Sequence, residues 1–157
     1  MRTECINSFY KATEDVFHLM FDLNVEKGDF KIVDGLISNR NANVVLGVKG
    51  DLKGSILFSF NKDMTLEMVR IMSGLELKAI DSFVSSALGE VVNIIGGNAL
   101  TNLTNYNYIC DLEPPQVIIG ECSSLPITNE KIMLIPIKTD IGDFDINICL
   151  LENKRNN

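Results

Sequence analysis

Between Asp81 and Leu103 the chain carries a segment that leaves few folding options open. Phe83, Val84, Leu88, Val91, Val92, Ile94, Ile95 and Leu100 fill most positions around a helical projection, so a helix here buries an unusually wide stripe. One narrow strip is left over. Ser86, Glu90 and Asn93 stand at offsets of four and three, which stacks them on a single face, and Gly97 and Thr101 continue the line. Asp81 or Ser82 is the expected N-cap, and the helix is expected to run to about Leu103 in spite of Gly89, Gly96 and Gly97. Each interior glycine costs about 1 kcal/mol relative to alanine, so tight packing or the close approach of a neighbour is the expected reason for them.

The rest of the chain supplies a sheet. Ile6, Phe9, Tyr10, Thr13, Val16, Phe17, Met20 and Phe21 recur every three or four residues, which predicts an amphipathic helix over 4–22. A first strand is expected over Phe30–Ile37, followed by a polar turn at Ser38–Asn43. Val44 to Phe60 reads as a hairpin turning at Gly50-Asp51, where glycine supplies the left-handed backbone of a tight turn. Asp63 is the expected cap of a helix carrying Leu66, Met68, Val69 and Met72, with the methionines as core filler and Gly74 as its left-handed terminator. Strand character returns at Tyr106–Leu112. Pro114-Pro115 then forces an extended turn, Val117–Ile119 resumes apolar character, and Ile132–Ile137 with Asp145–Leu151 forms a second hairpin around Thr139–Asp143. This order predicts an α+β domain: an antiparallel-rich sheet flanked by helices, with one long helix carrying the Glu-x-x-Asn motif.

A chain of 157 residues buries about 68 to 70% of its unfolded surface, enough for a core without metal or disulfide. One domain over residues 1–152 is expected, followed by a polar tail, 153–157. A formal charge of −7 offers no basic stripe for a phosphodiester backbone, so nucleic acid is not an expected partner. No apolar run reaches the roughly 18 residues needed to span a bilayer, and Met-Arg-Thr-Glu-Cys lacks the apolar core of a signal peptide. A cytoplasmic location without membrane attachment is the expectation. Cys5, Cys110, Cys122 and Cys149 form no Cys-x-x-Cys pair and have no neighbouring histidine, so they read as reduced thiols, with Cys149 buried. His18, the only histidine, lies off the centre of its helix's apolar stripe and reads as a surface or boundary residue.

Several machineries have no candidate residues. There is no Gly-x-Ser-x-Gly elbow, no Cys beside a His, no phosphate-cradling glycine loop and no paired acids at metal-ligand spacing. Glu90 and Asn93 alone are also compatible with an ordinary solvated helix face. The wider pattern is more specific. Ser86-x3-Glu90-x2-Asn93, followed by Gly97-Asn98-Ala99 and by Pro114-Pro115, resembles the [Asp/Ser]-x3-Glu-x2-Asn…Pro signature of the CheC, CheX and FliY chemotaxis phosphatases. Ile6-Asn-Ser-Phe9, Gly50-Asp-Leu-Lys-Gly54, Leu88 to Asn98, Gly120 and the terminal hairpin extend the similarity to the single-motif CheX members over nearly the whole chain.

That resemblance implies a CheC-like fold, homodimer assembly and dephosphorylation of the aspartyl-phosphate of a CheY-type response regulator. It assigns Glu90 to the regulator's active-site lysine and Asn93 to the attacking water, with Ser86, Gly97 and Pro115 as partner-binding positions. No cofactor of the chain's own is implied, the Mg2+ being the regulator's. Two departures stand out: Ser86 occupies a position that is often Asp, which leaves it a hydrogen-bonding or helix-face role, and Pro115 lies about one residue closer to Asn93 than is usual. The competing reading is a non-catalytic module that binds or scaffolds a regulator through the same face. A remoter one is a small-molecule sensor, which requires an apolar pocket that the sequence does not reveal.

Overall fold

The computed structural model describes residues 2–34, 40–120 and 131–153. In chain order these form α1 (Arg2–Phe21), β1 (Glu26–Lys27), β2 (Lys31–Val33), β3 (Ala42–Gly50), β4 (Leu52–Phe60), α2 (Lys62–Ser73), α3 (Ser82–Thr104), β5 (Cys110–Leu112), β6 (Gln116–Ile119), β7 (Ile132–Thr139) and β8 (Gly142–Glu152). All strand pairs are antiparallel and belong to one sheet in the order β1-β7-β8-β4-β3-β5. β2 also pairs with β7 and β6 with β3. The expected α+β architecture is therefore the observed one.

Alternation along the strands decides which face the helices cover. Val44, Leu46 and Val48 of β3 sit opposite Phe58, Ile56 and Gly54 of β4, and Phe58 and Ile56 sit opposite Ile146 and Ile148 of β8. These side chains join one buried cluster with the inner stripes of all three helices. Aromatic stacking latches α1 onto it: the Phe17 ring lies 5.3 Å from Phe144, which in turn lies 4.7 Å from Phe60. Cys5, on the inner face of α1, is wholly buried, and that burial pushes its thiol up to about 11, far from thiolate reactivity. Cys149 is buried as expected, and Cys122 lies outside the described residues.

Element ends follow local chemistry, and several expectations need correcting. α1 stops at Phe21 because Asp22 adopts φ 54° and the Leu23 N–H turns back to the Phe17 carbonyl, a Schellman-type end without glycine. α2 is capped by Asn61 and not by Asp63: the Asn61 side-chain oxygen accepts from the Met64 N–H at 2.8 Å, leaving Asp63 in the first turn near the positive end of the helix dipole. Gly74, at φ 76°, closes α2 as expected. Met64 and Met68 are core, but Met72 is exposed. The strand expected at Phe30 is confined to Lys31–Val33, and residues 35–39 lie outside the described set. Tyr106–Ile109 is not strand, because the end of α3 consumes it. Asn107 takes φ 66° and the Tyr108 N–H reaches the Leu103 carbonyl, so pairing with β3 starts only at Cys110.

Of the expected tail, Asn153 is described and belongs to the fold. Its N–H donates to the Asp51 carbonyl at 2.9 Å and its Nδ2 to the Gly50 carbonyl at 3.1 Å, tying the chain to the β3–β4 turn.

α3 has the length and composition of a membrane-crossing helix, yet ten of its residues are buried within the domain. Its close seating is visible at Gly96, where an added Cβ would stand 2.5 Å from Leu46 Cδ1 and 2.9 Å from Leu112 Cδ1. At Gly97 an added Cβ would meet nothing within 4 Å. The two glycines should respond oppositely to alanine. Gly96→Ala gains about 1 kcal/mol of helix propensity but overpacks against a fully buried leucine at a cost of about 1 to 3 kcal/mol, so the urea midpoint falls. Gly97→Ala keeps the gain alone, and its midpoint rises by up to about 1 kcal/mol equivalent. Urea unfolding monitored by circular dichroism checks both.

Candidate functional site

α3 begins where the Asp81 carboxylate accepts from the Val84 N–H at 2.9 Å, which fixes the rotational phase of the helix at its first turn. The inner side is set by Leu88, Val91, Val92, Ile95, Ala99 and Leu103, all buried. What remains outward is the strip read from the sequence: Ser86, Glu90 and Gly97 are exposed and Asn93 is half-buried. The axial rise from Glu90 to Asn93 is about 4.5 Å, so a carboxylate and a carboxamide stand side by side on one convex face.

Glu90 is the only ionisable residue in the 23 residues of α3. Within the described residues no hydrogen bond or ion pair engages its carboxylate or the Asn93 carboxamide. An uncommitted acid on an otherwise neutral helix is a local electrostatic feature with one centre, suited to meeting one cation in a fixed place. Among the described residues no group of three or more His, Cys, Asp or Glu side chains comes together to hold a metal ion.

Pro115 borders the same face. A Cβ added at Gly89 would lie 4.0 Å from Pro115 Cγ and 3.2 Å from Val117 Cγ2, so the absence of a side chain at Gly89 lets the edge of the sheet close against α3. Gly89 and Asn93 are four residues apart, which puts Pro115 on the Asn93 side of the strip. The prolines also explain why the edge strand is split. β5 pairs with Val48–Gly50 and β6 with Ala42–Val45, and the Glu113-Pro114-Pro115 link crosses the gap with only the Glu113 N–H free to bond the Gly47 carbonyl, at 2.9 Å.

One residue of the strip was misassigned by periodicity. Phe83, counted with the buried stripe, is 48% exposed, and Ile94 is only half-buried. The signal was available: Phe83 precedes Ser86 by three residues and Glu90 by seven, which are outward offsets.

The architecture places the chain in a class first. A CheC-like superfamily protein from Shewanella sp. PV-4 superposes with a TM-score of 0.87 at 24% identity, covering 96% of this chain and 99% of that one, and this is the CheC-like fold. Residues 42–138 match the chemotaxis phosphatase CheX family, and the chain belongs to that family. The CheY-P phosphatase CheX of Thermotoga maritima is 27% identical over 148 residues, 92% of each chain. A Borrelia burgdorferi CheX, solved as a CheX–CheY–BeF3–Mg2+ complex, superposes with a TM-score of 0.78 at 27% identity, covering 94% of this chain and 97% of that one. The family resemblance and the fold drawn from the sequence both stand.

Because neither the Glu90 carboxylate nor the Asn93 carboxamide has a polar partner among the described residues, the fold gains little from them. Glu90→Gln and Asn93→Ala should each unfold within about 0.5 kcal/mol of the parent. Thermal melts of the two variants measure this directly, and a drop of several degrees would mean that either side chain serves the core.

Proposed function

We propose that this chain is a phosphatase that removes the aspartyl-phosphate of a CheY-type response regulator, with Glu90 and Asn93 as the working pair. The observation that carries the reading is the unengaged carboxylate of Glu90 beside the Asn93 carboxamide on the outer face of α3, in a member of the chemotaxis phosphatase CheX family. Two relatives support it: the T. maritima protein is named as a CheY-P phosphatase, and the B. burgdorferi protein was solved with CheY, BeF3 and Mg2+.

The division of labour follows from phosphoryl chemistry. Hydrolysis through a loose transition state depends on positioning and on neutralising charge more than on a strong base. Glu90 forms a charge-assisted bond with the regulator's active-site lysine and so fixes the orientation of the complex. Asn93 enters beside the phosphoryl group and holds a water in line for attack, its amide donating and accepting without needing to titrate. Mg2+ is the regulator's and screens the phosphoryl oxygens there. Ser86 contributes a neutral hydroxyl at the edge of the contact, Gly97 leaves room for the partner's backbone, and Pro115 walls the Asn93 side. The unit is a single domain over 1–152 acting as a homodimer in the cytoplasm.

Kinetics test this. Catalytic amounts of the chain should accelerate phosphate release from a phosphorylated CheY-type regulator over many turnovers, whereas a scaffold would leave the decay unchanged or protect the acyl phosphate. Asn93→Ala should abolish the acceleration while keeping most of the binding, and Glu90→Ala or Glu90→Lys should weaken binding as well. A well-folded Asn93→Ala protein with parental turnover would overturn the assignment. Light scattering should return twice the 17.4 kDa chain mass if the dimer is correct.

A further inference from the structure

We propose that Phe83 is an apolar anchor for the regulator: a docking and specificity residue one helical turn before Ser86, on the strip that holds Glu90 and Asn93. The inference rests on the proposed function and adds a contact outside the signature. Phe83 occupies the second position after the Asp81 cap, and the capping bond is donated by the Val84 N–H to the Asp81 carboxylate, so the cap does not involve its ring. Nearly half of that ring's residue surface is open to water, in a helix whose other large apolar side chains are buried or half-buried.

Single exposed apolar residues are ordinary on protein surfaces, and position distinguishes this one. Along the outer face of α3 the order is Phe83, Ser86, Glu90, Asn93, Ile94, Gly97, with Glu90 about 10 Å from Phe83 along the axis. The strip carries one charge flanked by an aromatic on one side and a half-buried isoleucine and an open glycine on the other. That composition is the pattern of an interface centre, where charges are few and an aromatic seats in a partner's pocket while neighbours exclude water. The occupant follows from continuity: a receiver domain that presents its lysine to Glu90 and its acyl phosphate to Asn93 lies over α3 and meets Phe83 in the same footprint. Glu90 and Asn93 engage groups common to receiver domains, so discrimination between one regulator and another falls to contacts such as Phe83.

The test uses the full chain with the CheY-type receiver domains of its own genome. Each is phosphorylated with acetyl phosphate for turnover, and separately activated with beryllofluoride and Mg2+ for binding by fluorescence anisotropy. Phe83→Ala should raise KM on the order of tenfold with kcat held, Phe83→Leu should fall between, and the parental melting temperature should be retained. The penalty should differ between regulators, which a merely structural role would not produce. Equal KM for parent and Phe83→Ala, with the parent active and Asn93→Ala dead, overturns the anchor and leaves the proposed function intact. A parent that accelerates no regulator defeats the proposed function instead. Anisotropy then decides the anchor alone: a tenfold loss of affinity on Phe83→Ala supports it, and equal or absent binding overturns it. A change in molar mass on Phe83→Ala would assign the face to a second copy of this chain, also against the proposal.

Discussion

Everything distinctive about this molecule depends on how closely α3 is pressed to the sheet. With Gly96 against Leu46 and Leu112, and Gly89 against Val117, the inner stripe of the helix fills without long side chains holding the layers apart. Moving the helix outward by the thickness of a methyl group would loosen the contacts along both lines at once. The outer face inherits that rigidity. Side chains on a helix seated against a sheet are held to a narrow range of positions, which is what a reaction governed by placement requires. Gly97 shows that the same residue type serves a different end one position later: nothing inside the domain calls for it, so its smallness matters only toward the outside.

In the proposed reaction the chain's chemical contribution is modest, and the site reflects it. The face presents one carboxylate and one carboxamide, and among the described residues no group of three or more His, Cys, Asp or Glu side chains gathers to hold a metal ion. Such a face is matched to a partner that already holds the phosphoryl group, its cation and a cleft. In that proposed reaction the protuberance belongs to the catalyst, the reverse of the usual geometry of enzyme and substrate. Within an acidic chain α3 displays a single acid, so orientation can be read from one point.

Much of this was legible in the sequence because periodicity is strong where burial is one-sided. The apolar positions of α3, the alternation of β3, β4 and β8, and the Ser86–Glu90–Asn93 offsets each follow from the 3.6- and 2-residue repeats. Failures occurred where another force decided. Asn61 outcompeted Asp63 as a cap because the cap is defined by which side chain reaches the third N–H, and both residue types suit the role. Tyr106–Ile109 has strand composition, but the left-handed Asn107 diverts it into the end of α3. Two-residue β1 carries no alternation for any reading to find. Phe83 departs for the opposite reason: it is hydrophobic, but its angular position on α3 points outward.

The sheet order has a bearing on how the molecule is made. β8, the final strand described, lies between β7 and β4 and pairs along nearly its whole length with residues made some ninety positions earlier. While the chain emerges from the ribosome, α1, the β3–β4 hairpin and α3 can all exist, but the layer they cover has a vacant centre until the last hairpin arrives. The Phe17 ring of α1 and the open edge of β4 must therefore wait, unpartnered, for β8, which brings Phe144. Synthesis stopped before β8 leaves that edge unpaired, a ready template for pairing with another chain.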